Sequence, residues 1–134
     1  MAERAELEMF GKKFDLLHCS YTFNREVDPK GRPSAAVQGG TVQLQVESTE
    51  DTSILEAMLA TNKGTKGTIT FQKRDEKGAK MKALTVENAY IVQYAESLDS
   101  TGGNPMTISF VLSARKLSIG NAVHENDWPD TASN

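Results

Sequence analysis

The sequence predicts a mainly β fold, a small antiparallel β-barrel or sandwich with one short flanking α-helix. Three observations carry that expectation. Apolar and polar residues alternate along several segments, and residues 41–47 (Thr-Val-Gln-Leu-Gln-Val-Glu) do so without a break. Clusters of turn-forming residues separate these segments at fairly even spacing. Helical spacing of apolar residues occurs over one short stretch, Ile54, Leu55, Met58 and Leu59. A helix that short must lie on the sheet, because it cannot carry a core alone.

The elements follow in chain order. Ala5, Leu7 and Met9 alternate with Glu6, Glu8 and Phe10, and Gly11-Lys12 reads as a turn. Residues 14–23 are rich in β formers but mix their faces. Phe14, Leu16, His18 and Ser20 fall on one side, and Asp15, Leu17, Cys19, Tyr21 and Phe23 on the other. Such mixing predicts a strand covered on both sides for part of its length. Residues 24–40 form a polar loop of some 17 residues, against a usual length of ~4–6. Pro29, Pro33 and three glycines are expected to keep it out of regular structure.

The strand at 41–47 puts Val42, Leu44 and Val46 on one face and Thr41, Gln43, Gln45 and Glu47 on the other. Ser53 and Glu56 read as a capping box for the helix, with Thr52 or Asp51 as alternative caps. Glu50 and Asp51 sit where the helix dipole favours negative charge. The segment 62–64 is expected to end the helix, with Gly64 as a left-handed cap. Residues 67–74 and 80–87 read as strands joined by a hairpin turn at 75–78 (Asp-Glu-Lys-Gly). Asn88 marks a bulge, after which Tyr90, Val92 and Tyr94 alternate with Ile91, Gln93 and Ala95. A turn cluster at 100–105 leads to a last alternating strand, Met106 to Ser113, and then a polar tail from Gly120. Leu44, Phe71, Leu84, Ile108 and Phe110 are large enough to fill a small barrel.

Composition narrows the function. The chain has 134 residues, net charge −3, 38% hydrophobic and 25% charged residues. These are the values of one globular domain spanning 1–134, without the basic excess of a nucleic-acid binder. No apolar run approaches the ~20 residues of a membrane helix. The first residues lack the apolar stretch of a secretory signal. Cys19 stands alone, which fits a reducing compartment.

No constellation points to catalysis. His18 and Cys19 are strand neighbours that face opposite ways, so they close neither a metal site nor a nucleophile–base pair. His124, Glu125 and Asp127 read as a solvated polar tail rather than a ligand set. Gly39-Gly40 and Gly102-Gly103 open no phosphate loop. No enzyme, cofactor or metal is expected. Charge is uneven, however. From Lys63 to Lys82 there are seven Lys/Arg against two acids, and from Glu47 to Leu59 four acids and no base. Each run reads either as a solvated face or, more sharply, as one of two unlike surfaces suited to head-to-tail association, which makes rings or filaments.

Ordered along the chain are Leu17-His18-Cys19-Ser20-Tyr21, Asn24-Arg25-Glu26-Val27-Asp28, Gly31-Arg32-Pro33-Ser34, Glu47-Ser48-Thr49-Glu50-Asp51-Thr52, Lys73-Arg74-Asp75, Asn104-Pro105-Met106-Thr107-Ile108 and His124-Glu125-Asn126-Asp127-Trp128-Pro129. Together they resemble the type VI secretion tube proteins of the Hcp (TssD) family, in the form carried by Bacteroidetes. The resemblance implies a homohexameric ring that stacks into a tube and is propelled from the cell without a signal peptide. It implies sheath, spike and baseplate proteins as partners and effector proteins as cargo, with no nucleic acid and no membrane. The alternative is an effector carrier in its own right, or a small ligand-binding barrel.

Three sets of site residues are expected. The long loop supplies an assembly contact through Arg25, Val27, Asp28, Pro29, Lys30, Arg32, Pro33 and Val37. Thr41, Gln43, Gln45, Thr68, Thr70 and Gln72, with Thr107 and Ser109, are candidates to line the lumen. Lys73 and Arg74 are expected to meet Glu47, Glu50 and Asp51 across stacked rings.

Overall fold

A computed structural model describes residues 4–60, 64–72, 80–98, 100–103 and 105–126. Seven strands and one helix follow in order. They are β1 (Arg4–Met9), β2 (Lys12–Tyr21), β3 (Thr41–Glu47), α1 (Ser53–Leu59), β4 (Thr65–Gln72), β5 (Lys80–Ser97), β6 (Thr107–Ile119) and β7 (Ala122–Glu125). The sheet order is β3-β2-β1-β4-β5-β6-β7, and β3 also pairs with β6. That last pairing closes six antiparallel strands into a barrel. β7 extends past the mouth: β6 pairs with β3 over Thr107 to Ser113 and with β7 over Lys116 to Ile119.

The interior is filled with side chains. Leu7, Met9, Val42, Leu44, Val46, Ile69, Leu84, Val86, Ile108, Phe110, Leu112 and Leu117 are buried in one cluster. Among the described residues the barrel interior is a packed core.

Strand phase changes at bulges, and these correct the face assignments for β2 and β5. In β2 the register shifts between Leu16 and His18. Phe14 and Leu16 pack inward before the shift, Cys19 and Tyr21 after it. Leu17 is the extra residue and is 52% exposed. The mixed faces thus record a bulge, not a strand covered twice. In β5 the expected bulge is present at Asn88, whose φ is +50°. A second shift lies between Ile91 and Gln93. Inward residues run Leu84, Val86, then Ala89, Ile91, then Tyr94, and Val92 is left 52% exposed.

Other elements also depart from expectation. The first turn is at Phe10-Gly11, both at positive φ, as a two-residue hairpin demands. Of the candidate caps, Thr52 takes the N-cap position rather than Ser53. Ser53 is its first residue, and the Ser53 N–H donates to Asp51 Oδ1 at 2.7 Å. The apolar stripe is Ile54, Ala57 and Met58, while Leu59 is 70% exposed. The helix ends at Ala60 in extended backbone rather than at a left-handed glycine. The expected hairpin turn at 75–78 lies outside the described residues.

The helix packs on β5 and is tied to β2 at its other side, where Lys12 Nζ reaches Ser53 Oγ at 2.6 Å and Asp51 Oδ2 at 2.8 Å. Lys12 is the first residue of β2, and the long loop leaves from its last. The helix and the loop therefore occupy opposite ends of that strand.

Candidate functional site: a polar wall and an ordered arm

Four strands, in the order β2-β3-β6-β5, form one wall of the barrel. Paired residues share a face, so the register lays out its outer rows. One row is His18, Gln45, Ser109 and Ala95; the next is Ser20, Gln43, Val111 and Gln93. Gln45 Nε2 donates to Ser109 Oγ at 3.3 Å, joining β3 to β6. The surface here sinks into an open depression of about 410 Å³ lined by His18, Gln43, Gln45, Gln93 and Ser109. No carboxylate or lysine stands in these two rows. Acidic groups begin at the helix-side margin, where Glu47 is exposed and Ser48 Oγ bonds Glu96 Oε2.

The expected lumen residues divide. Thr41, Gln43, Gln45, Thr107 and Ser109 share this wall. Thr68, Thr70 and Gln72 face outward from β4, beside Glu8, Glu6 and Arg4 of β1. Around a six-stranded barrel β4 lies three strands from β3, on the opposite side. One ring orientation presents one of these walls inward, not both.

The wall has open margins. Among the described pairings, β1 accompanies β2 only from Lys12 to Asp15, and β4 accompanies β5 only as far as Ala89. Beyond those points β2 pairs with β3 alone and β5 with β6 alone. The exposed bulge residues Leu17 and Val92 stand at these two margins.

The loop at 24–40 contains no helix or named strand, as expected, yet two isolated bridges tie it together. Asn24 and Gln38 exchange backbone hydrogen bonds at 2.9 and 2.7 Å. Val27 faces Pro33 across a second bridge. Asp28 organises the tip. Its Oδ1 accepts from the Lys30 and Arg32 N–H groups at 2.9 Å each, and its Oδ2 accepts from Arg32 Nε at 2.9 Å. The Gly31 N–H donates to the Asp28 carbonyl. Pro29 and Gly31 (φ +85°) hold the second and fourth places of this turn, where pre-set φ and positive φ are wanted. These donors hold the Asp28 carboxyl below its usual range, the Arg32 N–H first among them. The result is a stiff arm carrying Val27, 60% exposed, near its end. Arg25, Lys30, Arg32 and Pro33 are exposed along it, and Val37 is half-buried at its root.

The stacking charges are less complete. Lys73 and Arg74 lie outside the described residues. Glu47 and Glu50 are exposed, but Asp51 is bound to Lys12 of its own subunit. That bond, with the Ser53 hydroxyl and N–H, holds the Asp51 carboxyl at about 2.

Two tail residues correct the expectation of a solvated tail. His124 and Asn126 are half-buried, and their side chains meet at 3.0 Å. Asn126 also reaches across to Gly39, which places the supposed solvated tail against the root of the arm. Among the described residues no group of three His, Cys, Asp or Glu could hold a metal, and no helix is long and apolar enough to cross a membrane.

Comparison with known proteins matches the chain to a family. The family described as Hemolysin coregulated protein Hcp (TssD) matches residues 1–129. The structure of Hcp1 from Flavobacterium johnsoniae is 37% identical, with a TM-score of 0.87 over 92% of this chain and 99% of that one. Hcp1 from Salmonella typhimurium shares the fold at 11% identity, with a TM-score of 0.74 over 93% and 95% of the two chains. The sheath-tube complex of an extracellular contractile injection system also shares it, at 16% identity and a TM-score of 0.59 over 89% of each chain. No curated protein matches. The protein therefore belongs to the hemolysin coregulated protein (Hcp, TssD) family of type VI secretion tube proteins.

Proposed function

We propose that this chain forms homohexameric rings whose lumen is lined by the β2-β3-β6-β5 wall, and that the arm joins one ring to the next. The observation that carries the reading is the wall itself. Its centre is polar, uncharged and concave, and its two margins are strand edges with a strand partner on one side only among the described residues. The four strands alternate in direction, so β5 of one copy runs antiparallel to β2 of a copy placed beside it. A ring can thus continue the sheet without reversing a strand. Leu17 and Val92 give the seams apolar contact.

Thr, Gln and Ser on such a wall hold water without a strong field, so a passing effector is neither trapped nor repelled. Export occurs through the type VI apparatus, with sheath, spike and baseplate proteins as partners. The packed interior favours this reading over a ligand-binding barrel. Light scattering tests it. A species of about six times 14.6 kDa is expected, and a monomer alone at concentrations well above micromolar would refute the ring.

A further inference from the structure

We propose that Asn126 is the positioning residue of the arm: it pins the arm's root to the barrel, so that assembly depends on a side chain beyond the last strand. The inference rests on the reading of the arm as the inter-ring contact.

The geometry is a four-way junction. Asn126 Nδ2 donates to the Gly39 carbonyl at 3.1 Å and to the Ala114 carbonyl at 3.0 Å. Its backbone N–H donates to the Arg115 carbonyl at 2.7 Å. The Ala114 N–H in turn donates to the Gly40 carbonyl at 2.8 Å. One amide group thus bridges β6, the segment after β7 and the last residues before β3. The backbone has been shaped to admit it. Gly40 has φ +97°, and a Cβ there would lie 2.5 Å from Asn126 Nδ2 and 2.8 Å from the Ala114 carbonyl. At Gly39 a Cβ would lie 2.3 Å from the Phe23 ring. Phe23 meets His124 edge-on at 5.4 Å. Both ends of the arm are therefore clamped, Phe23 by the His124 ring and Gly39 by the Asn126 amide.

Hydrogen-bond chemistry then fixes a proton. Two carbonyls receive both Nδ2 hydrogens, so Asn126 cannot be flipped. Its Oδ1 must accept, and the group facing it is His124 Nε2. His124 consequently carries its hydrogen on Nε2. A ring protonated on Nδ1 alone would oppose two lone pairs. A free histidine ring also favours this tautomer, so the discriminating result is the Nδ1–H form, which the junction forbids, and arm exchange in the variants carries the rest of the test.

The test uses the full-length chain. In the neutral imidazole, ring nitrogen shifts of His124 are expected to show the Nε2–H form; the Nδ1–H form overturns the junction. Asn126→Asp replaces the donor with an acceptor facing two carbonyls. It should raise amide exchange at Asn24 and Gln38 about tenfold, the cost of roughly one hydrogen bond, while Val42 and Leu112 stay unchanged. His124→Phe keeps the ring against Phe23 and should give a smaller rise at the same two amides. It also serves if Asn126→Asp does not fold. Unchanged arm exchange in the variants, or a rise spread equally into the barrel, overturns the proposal. Faster arm exchange with wild-type tube assembly would uphold the junction and refute the arm as the inter-ring contact.

Discussion

Asp51 shows how one residue's chemistry sets an element in place. Its carboxyl binds Lys12 and Ser53 at once, and its folded pKa of about 2 lies below the ordinary carboxylate value. A depressed pKa contributes stability above the unfolded value that is lost as pH falls through the folded one. The α1 contact should therefore hold at neutral pH and weaken from about pH 4 down to about pH 2. Asp51→Asn should remove that acid-side loss of helix-end order, read by exchange at the Ser53 amide. Asp28 is depressed in the same direction, so the arm tip should likewise hold at neutral pH and loosen as the solution becomes acidic. Cys19 behaves oppositely, since burial pushes its thiol up to about 11. At pH 8 it should react with a soluble thiol reagent about a hundredfold more slowly than free cysteine, because so little thiolate is present. Ordinary cysteine rates would show that β2 opens.

Bulges decide which elements can be read from sequence. β3 and β6 (as far as Ala114) alternate without interruption, and their inward and outward residues were legible. β2 and β5 were legible as strands but not in phase. The shifts at Leu17 and Val92 answer the need of a small barrel to bend, and nothing in those two side chains announces it. Asn88 was readable because the alternation changes phase after it, and asparagine tolerates the positive φ it adopts. Asn88→Val should accordingly cost about 1–2 kcal/mol in urea unfolding, while Asn88→Gly should be close to neutral. Equal stability of the two variants would remove backbone strain as the reason for Asn88. The arm was half legible: its length and its lack of regular structure were plain, but the Asp-Pro-Lys-Gly turn signature at 28–31 implied local order as well. β7 was not legible, because four residues with one half-buried side chain leave no period to detect. The junction at Asn126 was hidden for another reason, since its partners are backbone carbonyls distant in sequence.

At the scale of the whole molecule, core and surface have separate duties. Phe110 fills the interior, and Phe110→Ala should cost about 3–5 kcal/mol of stability by chemical denaturation. A loss below 1 kcal/mol would mean the core is looser than its burial implies. The arm should behave in the opposite way. Deleting residues 28–36 should leave the thermal midpoint of the barrel nearly intact and abolish tube formation by electron microscopy. The inter-ring contact is expected to be partly electrostatic. Exposed pairs are worth ~0.2–1 kcal/mol each, and Asp51 is already occupied. Tubes should therefore weaken, without vanishing, as salt rises and the screening length falls to ~3 Å near 1 M.

The orientation of the wall is the central claim, and cysteine accessibility tests it most directly. Single cysteines at Gln43 and at Thr68 place equivalent thiols on opposite walls, while Cys19 stays silent. In assembled tubes a bulky thiol reagent should label Thr68→Cys at its free-subunit rate and Gln43→Cys far more slowly. Equal rates at the two positions, or protection at Thr68→Cys alone, would contradict the assignment of the β2-β3-β6-β5 wall to the lumen.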